Sequence, residues 1–478
     1  MNSLKKNTII STLSLFLNSG YSAFLGFFAN LVLTILLSPQ IFGIYFTVLS
    51  LIAILNYFSD IGLAASLIQK EKIDKKEVSV VFTFQQILII SLVFIGFLAT
   101  SPIINFYHLP SQGKYLYWSL LLSFFLSSLK TIPSIFLERK IEFQKIVFVQ
   151  VVENTLFYLS VIIFAIKGLG LTSFTLAVFL RSLIGVIIIY IISPWKIEIS
   201  FDFKVLKNLL RFGIPFQMSS FLALVKDDLM TLYLGKILGF GPLGYLGWAK
   251  KWAESPIRII MDSLSRVLFP LFSRFQNNKE KLKKLIEKVI FYQTLIIAPA
   301  IVFLVILMPK LVEIIPKYNK WQPALLYFYL FSLSSFLSSF STPFINFLNG
   351  LGKAKTSFKF MAGWTIATWI LVPLLTYYFG PFGFPLTLVI LSSSFVLVVL
   401  SAKKIVNFNF LKNIYPFLIS SLLILFILKI DFFKNFNNLL FLITAPFLGI
   451  ISYILILKIF FKINLFDELK TLWKTYQQ

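Results

Sequence analysis

The sequence contains no cysteine. That excludes disulfides, cysteine-based metal sites and thiol catalysis. Its single histidine, His108, falls in a short turn between apolar runs, where an exposed role is expected. No GxxxxGK[ST] loop occurs, so nothing marks a nucleotide phosphate site. Charge is scarce, at 13% of residues, and between residues 8 and 69 there is no lysine or arginine at all. No basic motif with interleaved aromatics suggests nucleic-acid binding. Nor is there a cofactor signature or a metal-ligand cluster.

Hydrophobic residues make up 58% of the 478, and mean hydropathy is +0.87. Apolar runs of about 20 residues, the length of a membrane span, recur from end to end. The runs are continuous rather than alternating, which disfavours a membrane β-barrel. The fold class is therefore an all-α polytopic membrane protein with about fourteen transmembrane helices. The run after Lys5 and Lys6 continues to Leu37 with no small-residue cleavage site, and reads as a retained first span rather than a signal peptide.

Net charge is +25. Counted by alternate loops, 29 of the 44 lysines and arginines fall on the side shared with the two termini, and 8 on the other. Positive charge collects in cytoplasmic loops, so both termini are expected in the cytoplasm, and the chain in a bacterial-type inner membrane. The opposite loops are all short, about fifteen residues at most around Glu313–Trp321. They leave no room for an external catalytic domain.

A weak internal repeat pairs residues 36–46 (LLSPQIFGIYF) with 237–247 (ILGFGPLGYLG), 201 positions apart. A second echo pairs FLERKIEF (136–143) with FLNGLGKAK (347–355). The expected organisation is a six-helix lobe over 1–200 and a second over 205–402, around a central cavity. Two additional helices follow over 411–461, then a cytoplasmic tail over 462–478. Parallel six-helix repeats around a midplane site are a transporter architecture.

Seven basic residues remain inside the spans: Lys130, Arg181, Lys226, Lys250, Lys251, Arg258 and Arg266. Six acidic ones accompany them: Asp60, Glu153, Asp227, Asp228, Glu254 and Asp262. An ionisable group in a membrane helix costs at least about 2.5–3.5 kcal/mol at the centre, so it faces protein or water and marks function by default. Lys250, Glu254, Arg258, Asp262 and Arg266 form an i, i+4 ladder of alternating sign, whose members are neighbours on a helix. Pro256 and Pro270 are expected to bend or break that helix.

Two segments carry a family resemblance. LLSPQIFGIYFTVLSLIAILNYFSDIGLAASLIQKE (36–71) resembles the N-terminal signature of Wzx-type polysaccharide exporters. DDLMTLYLGKILGFGPLGYLGWAKKWAESPIRIIMDSLSRVLFPLFSRFQ (227–276) resembles the same family's second-lobe signature, and YNKWQPA (318–324) and LNGLGKAK (348–355) fit too. The resemblance implies the multidrug/oligosaccharidyl-lipid/polysaccharide fold, which lipid II flippases and multidrug antiporters share. It further implies flipping of an undecaprenyl-pyrophosphate-linked oligosaccharide rather than an enzymatic reaction, with a polysaccharide polymerase and chain-length proteins as partners. The lipid II branch carries arginines in its first spans, and this chain has none there.

Under that reading Lys250, Lys251, Arg258, Arg266, Lys130, Arg181 and Lys226 are candidates for the substrate's phosphates, which arginine grips with parallel hydrogen bonds. Asp60, Asp227 and Asp228 are candidates for ion coupling. Glu254, Asp262 and Glu153 are expected to pair with the cations, Glu153 with Lys130 or Arg181. Each candidate also has a plain alternative. The ladder is then a self-neutralised brace, Lys226 pairs locally, Asp60 caps a helix break, and Arg266 snorkels to the interface. Asn18, Tyr21, Asn30 and Gln217 are polar enough to touch sugar but equally suited to bonding helix to helix. Two other functions stay open: a multidrug cation antiporter of the same superfamily, and a membrane enzyme of polysaccharide assembly.

Overall fold

The structure, a computed structural model, describes residues 2–59, 62–70, 73–428 and 438–465. Every regular element among the described residues is helical. The chain divides into two compact units, Met1–Gly244 and Tyr245–Gln478.

The first unit holds α1 (Asn2–Leu36), α2 (Pro39–Phe58), α3 (Leu63–Gln69), α4 (Lys75–Leu98) and α5 (Thr100–Tyr107). It continues through α6 (Ser111–Leu129), α7 (Thr131–Arg139), α8 (Phe143–Ile166), α9 (Thr172–Ile192) and α10 (Phe203–Leu238). Helix α11 (Phe240–Arg274) starts in this unit and runs on into the second. There follow α12 (Lys279–Ile314), α13 (Leu325–Ser339), α14 (Ser341–Gly350), α15 (Ala354–Phe379), α16 (Gly383–Ser393), α17 (Phe395–Lys403), α18 (Phe410–Leu428) and α19 (Asn438–Phe460). Helices α18 and α19 pack on α12 around Phe417, Ile424, Ala445 and Leu457.

Local chemistry sets the boundaries. Asp74 and Glu77 close a capping box at the start of α4. Asp202 caps α10 by accepting from the amides of Lys204 and Val205. Gly239, at φ 78°, supplies the left-handed turn between α10 and α11.

Eleven stretches among the described residues are long and apolar enough to cross a membrane. The protein is a multi-pass membrane protein. Helices α10 and α11 are not among the eleven, and Ala354–Lys403 counts once although a 3-10 turn at Gly380–Phe382 divides it.

Several spans that read as single runs are interrupted at one residue: Ala99, Lys130, Phe340 and Ser394. Two of these interruptions share a cause. Pro133 lacks the N–H that would bond the Leu129 carbonyl, and Pro343 stands in the same relation to Ser339. Each orphaned carbonyl finds a side chain from another helix. The Tyr190 hydroxyl donates to Leu129 O at 3.1 Å, and Gln293 Nε2 donates to Ser339 O at 2.8 Å. By contrast α11 continues through Pro256 and Pro270 without a break.

Within the first unit the 201-residue echo becomes a reciprocal contact. A Cβ on Gly43 would stand 1.9 Å from the Phe240 carbonyl oxygen, and one on Gly244 would stand 1.8 Å from that of Pro39. Pro39 corresponds to Phe240 and Gly43 to Gly244 in the repeat. Only glycine at both positions lets the start of α2 meet the start of α11 backbone to backbone.

Candidate functional site

Each of the two units holds a group of charged helix residues. In the first unit Lys130 sits at the α6–α7 interruption that Pro133 creates. Its ammonium lies 2.5 Å from Glu153 Oε1 on α8, and Glu153 is only 5% exposed. Gly185 on α9 makes room for the carboxylate, because a Cβ there would stand 1.6 Å from Glu153 Oε1. Removing one partner of such a pair strands a buried charge, at a cost of about 3–5 kcal/mol.

Glu153 therefore takes Lys130 rather than Arg181. The half-buried Arg181 guanidinium lies 5.7 Å from the Phe157 ring centre and acts electrostatically on the hydroxyls of Tyr45 and Tyr158. No carboxylate among the described residues lies within 4.0 Å of it. Its contact is the face of one aromatic ring, which attracts a cation without cancelling its charge.

Lys226, Asp227 and Asp228 stand side by side on α10, with Lys226 half-buried. Asp227 is exposed and its carbonyl accepts from Thr231. Asp228 is half-buried, with Ser50 Oγ 3.4 Å from Oδ1. Asp60 lies outside the described residues, as does the side chain of Gln217.

In the second unit the ladder stands on the unbroken α11. Glu254 lies 3.8 Å from Lys250 and 3.8 Å from Arg258. Both separations exceed hydrogen-bond length, so one carboxylate is shared loosely between two cations. Arg258 is 72% exposed at its side chain, against 33% for Lys250. Lys250 also lies 5.8 Å from the ring of Phe384. Lys251 is exposed. The side chains of Asp262 and Arg266 lie outside the described ones.

Aromatics fix the N-terminal part of α11. Trp248 stacks on the fully buried Trp321 at 5.3 Å, and its indole N–H donates to the Tyr318 hydroxyl at 3.2 Å. The YNKWQPA turn is thus an anchor for the helix that carries the ladder. At the other end Gly350 of α14 meets the backbone of α11 at Phe269 and Ser273, and Asn346 donates to Ser265 at 3.2 Å. Among the described residues no group of three histidine, aspartate or glutamate side chains is placed to hold a metal. A cavity of about 460 Å³ lined by Leu397, Leu400, Ser401, Lys403 and Lys404 shares no residue with either group.

Sequence reading missed Gly185, Tyr190 and Gln293. The prolines of TIPS and STPF signal the two open carbonyls, but not which residue answers each.

Membrane-length helices, several interrupted at a single residue, make up an all-α polytopic membrane fold. A structure of the lipid II flippase MurJ in its inward closed conformation superposes with TM-score 0.75 at 19% identity, covering 95% of this chain and 99% of that one. An inward-facing multidrug resistance MATE family transporter of the MOP superfamily gives 0.59 at 15% identity, covering 79% and 94%. At such identities the likeness is one of fold.

Residues 32–325 match the family described as polysaccharide biosynthesis protein, and the chain belongs to that family. It is 24% identical over 255 residues to the amylovoran biosynthesis protein AmsL of Erwinia amylovora, covering 53% of this chain and 66% of that protein. It is 21% identical to the succinoglycan biosynthesis transport protein ExoT of Rhizobium meliloti, covering 68% and 66%. It is 24% identical to the lipopolysaccharide biosynthesis protein WzxC of Escherichia coli, covering 70% and 68%. The matches to AmsL and ExoT thus span just under two thirds of those relatives' lengths.

Proposed function

We propose that the protein is a flippase for a lipid-linked oligosaccharide, a polysaccharide repeat unit carried on undecaprenyl pyrophosphate. The observation that carries the reading is surplus positive charge on membrane helices. Glu254 serves two cations, and Arg181 lies over the Phe157 ring with no carboxylate among the described residues within 4.0 Å. A pyrophosphate is a cargo that repays such a cost, since charge-assisted bonds to phosphate are among the strongest available. Lys250 and Arg258 are the leading contacts. Lys130 sits in a pair with Glu153 that an incoming phosphate has to displace or leave intact. The isoprenoid tail stays in lipid while the headgroup and sugars cross by alternating access, with no covalent step.

The polysaccharide family and the names of its relatives support this reading. The charge asymmetry of the loops supports an inner-membrane location with cytoplasmic termini. A polymerase and chain-length proteins are the partners that would consume the cargo. Ion coupling falls to Asp60, Asp227 or Asp228, and unchanged export in all three Asn variants would remove that part.

A multidrug antiporter shares the fold. It takes cations, for which a net positive set of membrane charges is unfavourable. The gene-deletion strain separates the readings. Deletion is expected to accumulate lipid-linked repeat units that an external glycan oxidant cannot reach. Normal surface polymer with raised sensitivity to cationic dyes would favour the antiporter. Loss of polymerisation while repeat units still reach the outer leaflet would favour an assembly enzyme.

A further inference from the structure

Helices α1 and α8 face each other through two polar stripes in constant register. Asn18 Nδ2 donates to Gln150 Oε1 at 2.9 Å. Asn154 Nδ2 donates to Ser22 Oγ at 3.3 Å. The Tyr158 hydroxyl lies over Gly26, where a Cβ would stand 3.2 Å from it. Each pair is offset by 132 positions and each follows the last by four residues, so the helices run parallel and meet turn for turn. Tyr21 adds a 2.6 Å bond to Thr155 along the same seam.

All these positions lie inside the spanning stretches Leu13–Leu36 and Phe143–Ile166. Polar residues between membrane helices often serve only as glue. Glue turns inward, because an amide facing hydrocarbon is costly. Here Gln150 and Tyr21 are exposed, Asn18 and Thr155 are half-buried, and the Asn18–Gln150 and Tyr21–Thr155 bonds lie at the surface. An amide pair joined by one hydrogen bond still carries unused donors and acceptors. In Asn18–Gln150 the carboxamide N–H groups of Gln150 remain available, and a phenol ring stands one turn away. Amides that both donate and accept, beside an aromatic face, match the alternating hydroxyls and C–H faces of a pyranose. No side chain of this seam carries a charge, so it suits neutral sugars and not phosphate.

We infer that the α1–α8 seam, built from Asn18, Tyr21, Ser22, Gln150, Asn154 and Thr155, is a carbohydrate subsite that takes the uncharged sugar rings of the cargo. The inference rests on the flippase reading for the identity of the cargo. It places the sugars on a different part of the protein from the headgroup cations of α11.

The absence of cysteine makes the test direct. Single variants S22C, N18C and T155C are made in the full-length protein, with L17C as control; Leu17 is apolar and 60% exposed. Each is reacted in vesicles with a membrane-impermeant anionic methanethiosulfonate. The probe ligand is oligosaccharide released by mild acid from the organism's own surface polysaccharide, free of lipid and pyrophosphate. The seam cysteines are expected to react while L17C does not, and the oligosaccharide should slow modification several-fold. Ser→Cys is nearly isosteric, so S22C keeps the test valid if N18C folds poorly. Unreactive seam cysteines, or modification rates that the oligosaccharide leaves unchanged, would overturn the subsite. Because the probe lacks the lipid, protection without any lipid transport would sink the flippase reading alone. Transport without protection would sink the subsite alone.

Discussion

Gly185→Ala should destabilise the protein through Glu153, and its sign should reverse when Glu153 is gone. The new methyl would stand 1.6 Å from Glu153 Oε1 and 2.5 Å from the carboxyl carbon, with no room to share. The carboxylate must move, and it is 5% exposed and bonded to Lys130. Overpacking of this kind costs about 1–3 kcal/mol. Loss of the partner from a buried pair costs about 3–5 kcal/mol, discounted here because the Lys130 side chain is 21% exposed. About 3 kcal/mol is the expected net loss for Gly185→Ala alone. In an E153A/K130M background the clash and the stranded charge both vanish. The same substitution then gains helix propensity and should stabilise by up to about 1 kcal/mol. The assay is unfolding of the purified protein in detergent, followed by tryptophan fluorescence across the four backgrounds. An equal cost with and without Glu153 would refute the reasoning, since it would place the clash elsewhere.

Tyr190→Phe should cost about 1 kcal/mol, because the Leu129 carbonyl that Pro133 leaves open loses its donor. Pro133→Ala should lessen that cost by supplying the missing amide, leaving what the Trp195 indole N–H loses when the Tyr190 hydroxyl is gone; a cost unchanged in the double variant would count against the account. The Lys76 side chain, with the amides of Val205 and Lys204, holds the Asp202 carboxyl down at about 2, below its ordinary 3.8. A lowered value means that the capped, paired form is fully favoured above 3.8 and is lost as pH falls toward about 2. Lys76→Met should move the titration upward, read from the carbon-13 shift of the labelled carboxyl; an unchanged midpoint would show that the amides alone set it.

The helical architecture was legible because long apolar runs have one reading in a membrane. The embedded charges were legible because each stands out against 58% hydrophobic composition. The choice of partner was not. Glu153 was expected to serve either Lys130 or Arg181, and the decision lies in Gly185, a residue that bears no chemistry of its own. The interruptions at Lys130 and Phe340 were foreshadowed by Pro133 and Pro343, yet Pro256 and Pro270 leave α11 continuous. A proline removes one helical bond in every case, yet α12, α15, α18 and α19 also run on through theirs. Tyr190 and Gln293 offer side-chain donors at the two breaks. Such donors come from residues tens of positions away and leave no local trace.

The central claim is that surplus cations on membrane helices carry a pyrophosphate-linked glycan across the bilayer. Its most direct test is the purified protein in sealed vesicles that hold undecaprenyl-pyrophosphate oligosaccharide in both leaflets. An impermeant galactose-oxidase-type reagent then reads how much glycan reaches the outside. Parent protein should bring the inner-leaflet share within reach. Arg258→Ala with Lys250→Ala should slow this about tenfold or more, from the loss of charged hydrogen bonds worth about 1.5–3 kcal/mol each. Glycan that stays locked in the inner leaflet with folded parent protein, or transport indifferent to both substitutions, would contradict the account.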